Sequence, residues 1–215
     1  MTASKNIEAV HGIIPPKKGE EIILPQPYGS ADSLLLSRWI RQMNLKKSGE
    51  GIKNLIICSN QELVDRIHIE LNYFLTEKQV MLFPDWETLP YEPFSPHADL
   101  VSDRLLCLYQ SSNVSNSTVI INAETALLRI VPPKFLASKT FFFSEKKILS
   151  INGLRNQMTL GGYEKVNSVI SPGEYSIRGN IIDIFPMGHP LPVRLELFDD
   201  EIESIRVFDP DTQKS

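Results

Sequence analysis

Residues 54–74, NLIICSNQELVDRIHIELNYF, contain a strand pattern followed by a helix pattern, and this combination indicates the fold of the first part of the chain. Its first five residues form a nearly continuous apolar run, which predicts a buried strand over Asn54–Cys58. Apolar residues then recur three or four apart, which predicts a helix, and the S-x-x-E pattern from Ser59 to Glu62 predicts a capping box at its start. The apolar face of that helix consists of Leu63, Ile67, Leu71 and Phe74.

The same alternation of strand and helix continues on both sides of this stretch. Strands that alternate with helices predict βαβ units and a parallel sheet. We therefore predict an α/β domain over residues 14–137, preceded by an N-terminal tail over residues 1–13. The further predicted strands are Glu20–Leu24, Val80–Phe83 and Thr118–Ile121, and the further helices are Asp32–Lys46, one around Leu100–Tyr109 with Ser95 as its N-cap, and Ala123–Val131.

The pattern changes near residue 138, where helical periodicity almost disappears. One short helix is expected between Ser150 and Leu160, ended by the glycines that follow it. The remaining segments are short apolar runs joined by turn residues, which predicts an antiparallel meander. Residues 138–212 are therefore expected to form a second, smaller α+β domain. Its predicted strands lie within Tyr163–Val169, Glu174–Phe185, Pro192–Phe198 and Ile202–Phe208.

Composition excludes several classes of protein. The 215 residues are 42% hydrophobic and carry a net charge of −4, with −2 on residues 1–137 and −2 on residues 138–215, so neither part is a basic module for nucleic acid. No apolar run approaches the roughly 18 residues of a membrane span, and the first dozen residues lack a signal-peptide pattern. We expect a cytoplasmic protein with no membrane contact, in which Cys58 and Cys107 are buried free thiols.

The residues that would mark an enzyme or a cofactor site are missing. The connection LPQPYGSADS, residues 24–33, lies where a nucleotide-binding domain would place its phosphate loop, but it has one glycine and no lysine. The four histidines are far apart and have no partner at metal-ligand spacing. We therefore predict no catalytic residue, no cofactor and no metal in this chain.

Residues 84–97, PDWETLPYEPFSPH, combine four prolines with Trp86, Tyr91 and Phe94. One interpretation is structural: the prolines stiffen a long loop and the aromatic side chains hold it against the sheet. The other is a stacking platform for single-stranded nucleic acid. The segment contains no Lys or Arg and three acidic residues, which favours the structural interpretation.

The stretch VRLELFDDEIESIRVF, residues 193–208, places a large aromatic residue on the polar face of a strand. Alternation puts Arg194 and Phe198 opposite the apolar positions of the strand, and Arg178 follows the same alternation upstream. Gly179 is expected to form a bulge that re-aims Arg178. Arg and Phe on an exposed sheet face are typical of protein-binding hot spots, so one interpretation of this face is a binding surface. The alternative interpretation is that Phe198 is a lone exposed aromatic residue that a neighbouring loop covers. All three side chains are expected to lie outside the core.

Two long motifs also carry a family resemblance. PDWETLPYEPFSPHADLVSDRL and GEYSIRGNIIDIFPMG…LPVRLELFDDEIESIRVFD resemble the N-terminal part of the bacterial transcription-repair coupling factors, over about residues 14–211. The resemblance implies a module similar to UvrB of nucleotide excision repair. It consists of a RecA-like α/β domain that lacks its phosphate loop, similar to UvrB domain 1a, and a smaller UvrA-binding domain, similar to UvrB domain 2.

The resemblance further implies a role for the exposed face. By similarity, Arg178, Arg194 and Phe198 match positions that contact UvrA. The family protein is several times longer, so the chain is expected to be a fragment with an incomplete first domain. RNA polymerase and double-stranded DNA are expected to bind the absent domains, which would use ATP and Mg for translocation. We expect a non-enzymatic module that recruits UvrA to stalled RNA polymerase, and the alternative is a single-stranded nucleic-acid-binding module using Trp86, Tyr91 and Phe94.

Overall fold

The computed structural model describes residues 19–24, 27–46, 52–75, 80–88, 93–138 and 140–215. The chain divides into two compact units. The first runs through Leu82 and includes Asn113–Leu127, and the second comprises Phe83–Ser112 and Leu128–Ser215. These two compact units do not coincide with the two domains predicted on either side of residue 138. The domain boundary at residue 138 stays a prediction.

The first unit is a parallel sheet with helices. The sheet has three strands, and the strand that comes last in the chain lies between the other two and pairs with both. Such an order requires crossover connections, which is the βαβ arrangement that the sequence predicts. The elements are α1 (Ala31–Lys46), β1 (Lys53–Cys58), α2 (Gln61–Phe74), β2 (Val80–Leu82), β3 (Ser117–Asn122) and α4 (Ala123–Ala126).

The core of this unit lies between its helices and one face of the sheet. Val64, Ile67 and Leu71 on α2 are buried, as the helical spacing predicts. They pack in one cluster with Ile40 of α1, Cys58 of β1, Ile120 of β3 and Leu75. Cys58 is a buried free thiol, as predicted, and so is Cys107 of the second unit.

Several predicted boundaries in this unit are wrong. Glu20–Leu24 is not a strand, because none of the described strands pairs with it, and its Ile23 is exposed. The N-cap of α2 is Asn60 rather than Ser59, since the Asn60 carboxamide oxygen accepts a hydrogen bond from the Leu63 amide at 2.9 Å. α4 ends at Ala126, well before the predicted Val131, and the next residue, Leu127, is exposed.

The second unit is built on a five-stranded sheet. The strands follow their chain order across the sheet, and all neighbours except the first pair are antiparallel. The elements are α3 (Ala98–Asn113, whose last residue groups with the first unit), α5 (Pro133–Ser138), α6 (Ile151–Leu160), β4 (Glu164–Lys165), β5 (Glu174–Arg178), β6 (Ile181–Ile184), β7 (Val193–Phe198) and β8 (Glu201–Val207).

Two details correct the predicted meander. β4 and β5 are parallel, because the connection over residues 166–173 returns the chain to the end of the sheet at which β4 began. The predicted cap of α3 at Ser95 is also wrong. That helix begins at Ala98, and the Val101 amide donates to the carbonyl of His97 at 3.2 Å.

One helix covers the apolar face of this sheet. The hydroxyl of Ser150 accepts a hydrogen bond from the Gly153 amide at 3.2 Å, which confirms the predicted start of α6. Leu154 and Met158 of α6 are buried against the sheet. Their partners are Tyr175, Ile182, Ile184, Leu195, Leu197 and Ile202. Because α6 covers only one face of the sheet, the strands can carry polar side chains on the opposite face.

The predicted fold class is confirmed: a three-stranded parallel sheet with helices and a second, five-stranded sheet with mixed pairing. Across the described parts of the chain, every helix is too short or too polar to cross a membrane.

Candidate protein-binding surface on the second sheet

The candidate surface lies on the face of the second sheet opposite α6. Along β7, Leu195 and Leu197 are buried, whereas Arg194, Glu196 and Phe198 alternate with them on the other face. This is the period-two pattern predicted from the sequence. The three predicted residues, Arg178, Arg194 and Phe198, therefore share one face.

Arg178 reaches this face through a tight turn rather than a bulge. Arg178 pairs with Ile181 across the β5–β6 hairpin, so Gly179 and Asn180 form a two-residue loop. Gly179 has a positive φ of 60°, which a glycine adopts without strain at the first position of such a loop. The prediction of a bulge at Gly179 is therefore wrong. The neighbouring Arg178 nevertheless lies on the same face as Arg194 and Phe198.

Asp183 is the residue at the centre of this surface, and it is absent from the residues predicted from the sequence. It lies on β6, opposite Arg194 of β7 in the register of the sheet. Its Oδ1 accepts from Nε of Arg194 at 2.7 Å, and its Oδ2 accepts from Nη2 of Arg194 at 3.0 Å and from Nη2 of Arg178 at 2.5 Å. A single carboxylate thus joins two of the three predicted residues. A lone Asp between Ile182 and Ile184 in a buried strand was the available signal, because a buried charge requires a partner.

Arg194 is more enclosed than the sequence analysis expected. Its side chain is 16% exposed, and that of Asp183 is 1% exposed. The guanidinium lies 4.6 Å from the ring centroid of Phe208 and donates to the carbonyl of Gln213 at 3.3 Å. Arg194 is thus partly buried, because the segment after β8 covers part of it, but it lies on the polar face of the strand, outside the buried core of this sheet.

The electrostatics of the pair fix its charge state. The hydrogen bond to Asp183 raises the pKa of Arg194 above its ordinary value, and the nearby carboxylates add to this effect. Charge-assisted bonds from a guanidinium to both oxygens of a carboxylate also fix the plane of the arginine. Arg194 is therefore a permanently charged and geometrically fixed part of the surface.

Phe198 is the exposed apolar residue of this face. Its side chain is 69% exposed at the end of β7, where it pairs with Glu201. It is four residues from Arg194, which is about 13 Å along a strand. The register shifts between Glu196 and Leu197, so that β8 contributes one extra residue just before this end of the hairpin. The covering loop of the alternative interpretation is not observed among the described residues.

The aromatic segment at residues 84–97 has a structural role for one of its members. The guanidinium of the buried Arg104 lies 3.9 Å from the ring centroid of Trp86 and 4.2 Å from that of Phe83, and it donates to the carbonyl of Pro84 at 2.5 Å. This contact occupies one face of the indole and holds Trp86 against Arg104 of α3, which supports the structural interpretation for this residue. Phe94 is exposed, and Tyr91 lies outside the described residues.

Carboxylates and one arginine surround the start of α1, where a phosphate loop would lead into a helix. Asp32 accepts two hydrogen bonds from Arg66, the shorter at 2.5 Å, and Arg66 also pairs with Glu70 at 2.9 Å. The hydroxyls of Ser30 and Ser33 donate to the Glu70 carboxylate at 2.7 and 2.6 Å. The hydrogen bond from Arg66 holds the pKa of Asp32 below its ordinary value, so this position carries negative charge at neutral pH. Within the described ranges, no three His, Cys, Asp or Glu side chains come together at metal-binding distance.

Comparison with known proteins gives the family. The family model described as the UvrB interaction domain matches residues 142–215, which include the whole candidate surface. The transcription-repair-coupling factor of Escherichia coli (strain K12) is 38% identical over 202 residues, which is 94% of this chain and 17% of that protein. The corresponding factor of Haemophilus influenzae is 37% identical over 205 residues, again 94% of this chain and 17% of that protein. The factor of Bacillus subtilis (strain 168) is 31% identical over 161 residues, which is 74% of this chain.

The chain thus spans about one sixth of the length of the first two relatives. Both the matched domain and the relatives agree with the resemblance carried by the two sequence motifs. The chain belongs to the transcription-repair-coupling factor family and contains a UvrB interaction domain.

Proposed function

We propose that this chain is a protein-binding module that recruits UvrA, and through it nucleotide excision repair. The observation that carries the proposal is the exposed Phe198 on the same sheet face as the two arginines joined by Asp183. This face lies within the residues that match the UvrB interaction domain. A domain of that type in a repair protein supports a partner from the same repair pathway.

Binding would combine one apolar contact with charged hydrogen bonds. Phe198 would enter an apolar pocket of UvrA, since an exposed aromatic side chain gains most from complete burial. Arg178, whose side chain is 52% exposed, would pair with a carboxylate or carbonyl beside that pocket. Arg and Phe are residue types that dominate binding energy when they are buried together at an interface.

The module would act without chemistry of its own and without a cofactor. The start of α1 supports this proposal, because Arg66 is already paired with both Asp32 and Glu70, and this group of three keeps a net negative charge toward the phosphates of a nucleotide. In the longer family protein, ATP hydrolysis with Mg, translocation on double-stranded DNA and contact with RNA polymerase would belong to segments outside these 215 residues. The module would then bring UvrA to the place where RNA polymerase has stalled.

The proposal is tested by titrating the chain with UvrA of the same bacterium, and separately with single-stranded and duplex oligonucleotides. We expect saturable binding of UvrA at about 150 mM salt, and weak or no binding of either nucleic acid because the chain has a net charge of −4. Tight nucleic-acid binding with a steep salt dependence and no UvrA binding would support the stacking-platform alternative instead.

A further inference from the structure

The two arginines of the candidate surface share one carboxylate but use it differently. Within the described residues, Arg194 donates from all three of its nitrogens, to Asp183 and to the carbonyl of Gln213. Arg178 donates only from Nη2, to Asp183. A guanidinium has five N–H donors, so Arg178 retains donors that point away from this contact.

The two arginines also differ in how much of their side chains is exposed to solvent. The side chain of Arg178 is 52% exposed, whereas that of Arg194 is 16% exposed and packs on the ring of Phe208. A partner can therefore reach the Arg178 guanidinium, while most of Arg194 lies beneath the surface. Arg194 in turn fixes the carboxylate of Asp183, because it binds both of its oxygens.

We infer that Asp183 is a positioning residue of the UvrA-binding surface. It is held by Arg194, and it orients Arg178 toward a carboxylate of the partner. This inference rests on the proposed function. An arginine on a flexible side chain loses rotamer freedom when it binds, and a carboxylate that already holds one of its nitrogens reduces that loss. The surface of UvrA that fits has an acidic group beside an apolar pocket. Arg178 would pair with the acidic group, and Phe198 would enter the pocket.

A double-mutant cycle on UvrA affinity tests the positioning role. We expect Asp183→Asn to weaken binding by at least tenfold, since the amide nitrogen that replaces one carboxylate oxygen cannot accept from Arg178. Arg178→Met should weaken binding similarly. Because Asp183 acts through Arg178, adding Asp183→Asn to Arg178→Met should weaken binding by less than a further threefold.

Glu164→Gln is the matched control for the change of charge. Glu164 is exposed on β4, at the edge of the same sheet, and it lies beside Glu174, at the end of β5 away from Arg178. Its removal deletes the same charge and should change UvrA affinity by less than threefold. A loss as large as that of Asp183→Asn would overturn the inference, because a general charge effect would then explain both.

A second variant keeps the test valid if Asp183→Asn does not fold. Asp183→Leu/Arg194→Met removes the buried pair together, a change that many proteins tolerate. Circular dichroism would verify that it folds, and its UvrA affinity should still be at least tenfold weaker. Wild-type affinity in this folded variant would overturn the inference.

The outcomes separate the inference from the proposed function. Absence of UvrA binding by the wild-type chain would contradict both. Wild-type binding with no effect of Asp183→Asn, or with the same loss whether or not Arg178 is present, would contradict the positioning role alone.

Discussion

Arg178 and Arg194 carry the same charged group in different environments. Arg178 is half exposed, whereas Arg194 is enclosed by Asp183, Phe208 and the carbonyl of Gln213. An exposed ion pair contributes about 0–1 kcal/mol, but breaking a buried pair costs several kcal/mol because the remaining charge is left without a partner. The two residues should therefore differ in their effect on folding.

We predict that Arg194→Met lowers the free energy of unfolding by about 3 kcal/mol and Arg178→Met by less than about 1 kcal/mol. The physical reason is that Arg194→Met leaves Oδ1 of the 1% exposed Asp183 without the donor it has in the wild type, while Oδ2 keeps only the hydrogen bond from Arg178. Urea denaturation of the two variants and the wild-type chain measures the difference. Equal losses in both variants would contradict the stronger enclosure of the Arg194–Asp183 pair.

Asp32 makes a pH-dependent contribution to the first unit. The hydrogen bond from Arg66 lowers the pKa of Asp32 in the folded chain, while the unfolded value is near 4. A carboxyl group with a lowered pKa stabilises the fold above its unfolded pKa, and this stability is lost as the pH falls through the folded pKa.

We therefore predict that Asp32→Asn lowers the unfolding temperature at pH 7, and that the difference from the wild type narrows below about pH 4. The effect at pH 7 should be modest because Arg66 is partly exposed, with 37% of its side chain accessible. Thermal unfolding of both proteins from pH 7 to pH 3 measures it. A difference that stays constant over this range would contradict the pairing.

Part of the binding surface could be predicted from the sequence, and the reason is local. A strand alternates its side chains with period two, so the sequence VRLELF is sufficient to place Arg194 and Phe198 on one face. The role of Asp183 could not be derived in this way. Its partners lie on two other strands, and only the register of the folded sheet brings them together.

At the scale of elements, the strands and helices were predicted better than their ends and pairing. β3 and α6 follow directly from apolar runs and helical spacing. The cap of α2 was displaced by one residue because Ser59 and Asn60 are both good caps, and only the fold selects between them. The parallel pairing of β4 with β5 depends on the path of residues 166–173, which no local pattern specifies.

The β5–β6 hairpin provides a test at this scale. Gly179 has a φ of 60°, and a Cβ built there would meet no atom within 4 Å. We predict that Gly179→Ala lowers the free energy of unfolding by about 1 kcal/mol through backbone strain alone. Chemical denaturation measures this value.

Gly153→Ala in α6 is the matched control. Gly153 has no positive φ, and a Cβ there would meet Ser150 at 3.4 Å, an ordinary contact. Because alanine favours a helix more than glycine does, this variant should be stabilised by about 0.5–1 kcal/mol. Destabilisation by both substitutions, or by neither, would contradict the assigned turn.

At the scale of the whole molecule, the account predicts a binding module without nucleotide chemistry. We predict that isothermal titration with Mg-ATP gives no heat of binding, because Asp32 and Glu70 at the start of α1 already occupy Arg66, the cation between them. The connection before that helix also lacks a lysine. A Walker A ATPase measured under the same conditions is the positive control, and micromolar affinity of this chain for ATP would contradict the prediction.

Binding of UvrA to the sheet face that presents Phe198 can be tested by one measurement of affinity. UvrA is titrated with the wild-type chain, with Phe198→Ala and with Phe94→Ala. The two phenylalanines are matched in type and exposure, at 69% and 77%, so neither substitution should change the unfolding temperature. The account predicts that Phe198→Ala weakens UvrA binding by about thirtyfold, the effect of losing a hot spot of about 2 kcal/mol, and that Phe94→Ala leaves it unchanged. Unchanged affinity of Phe198→Ala, or a loss confined to Phe94→Ala, would contradict it.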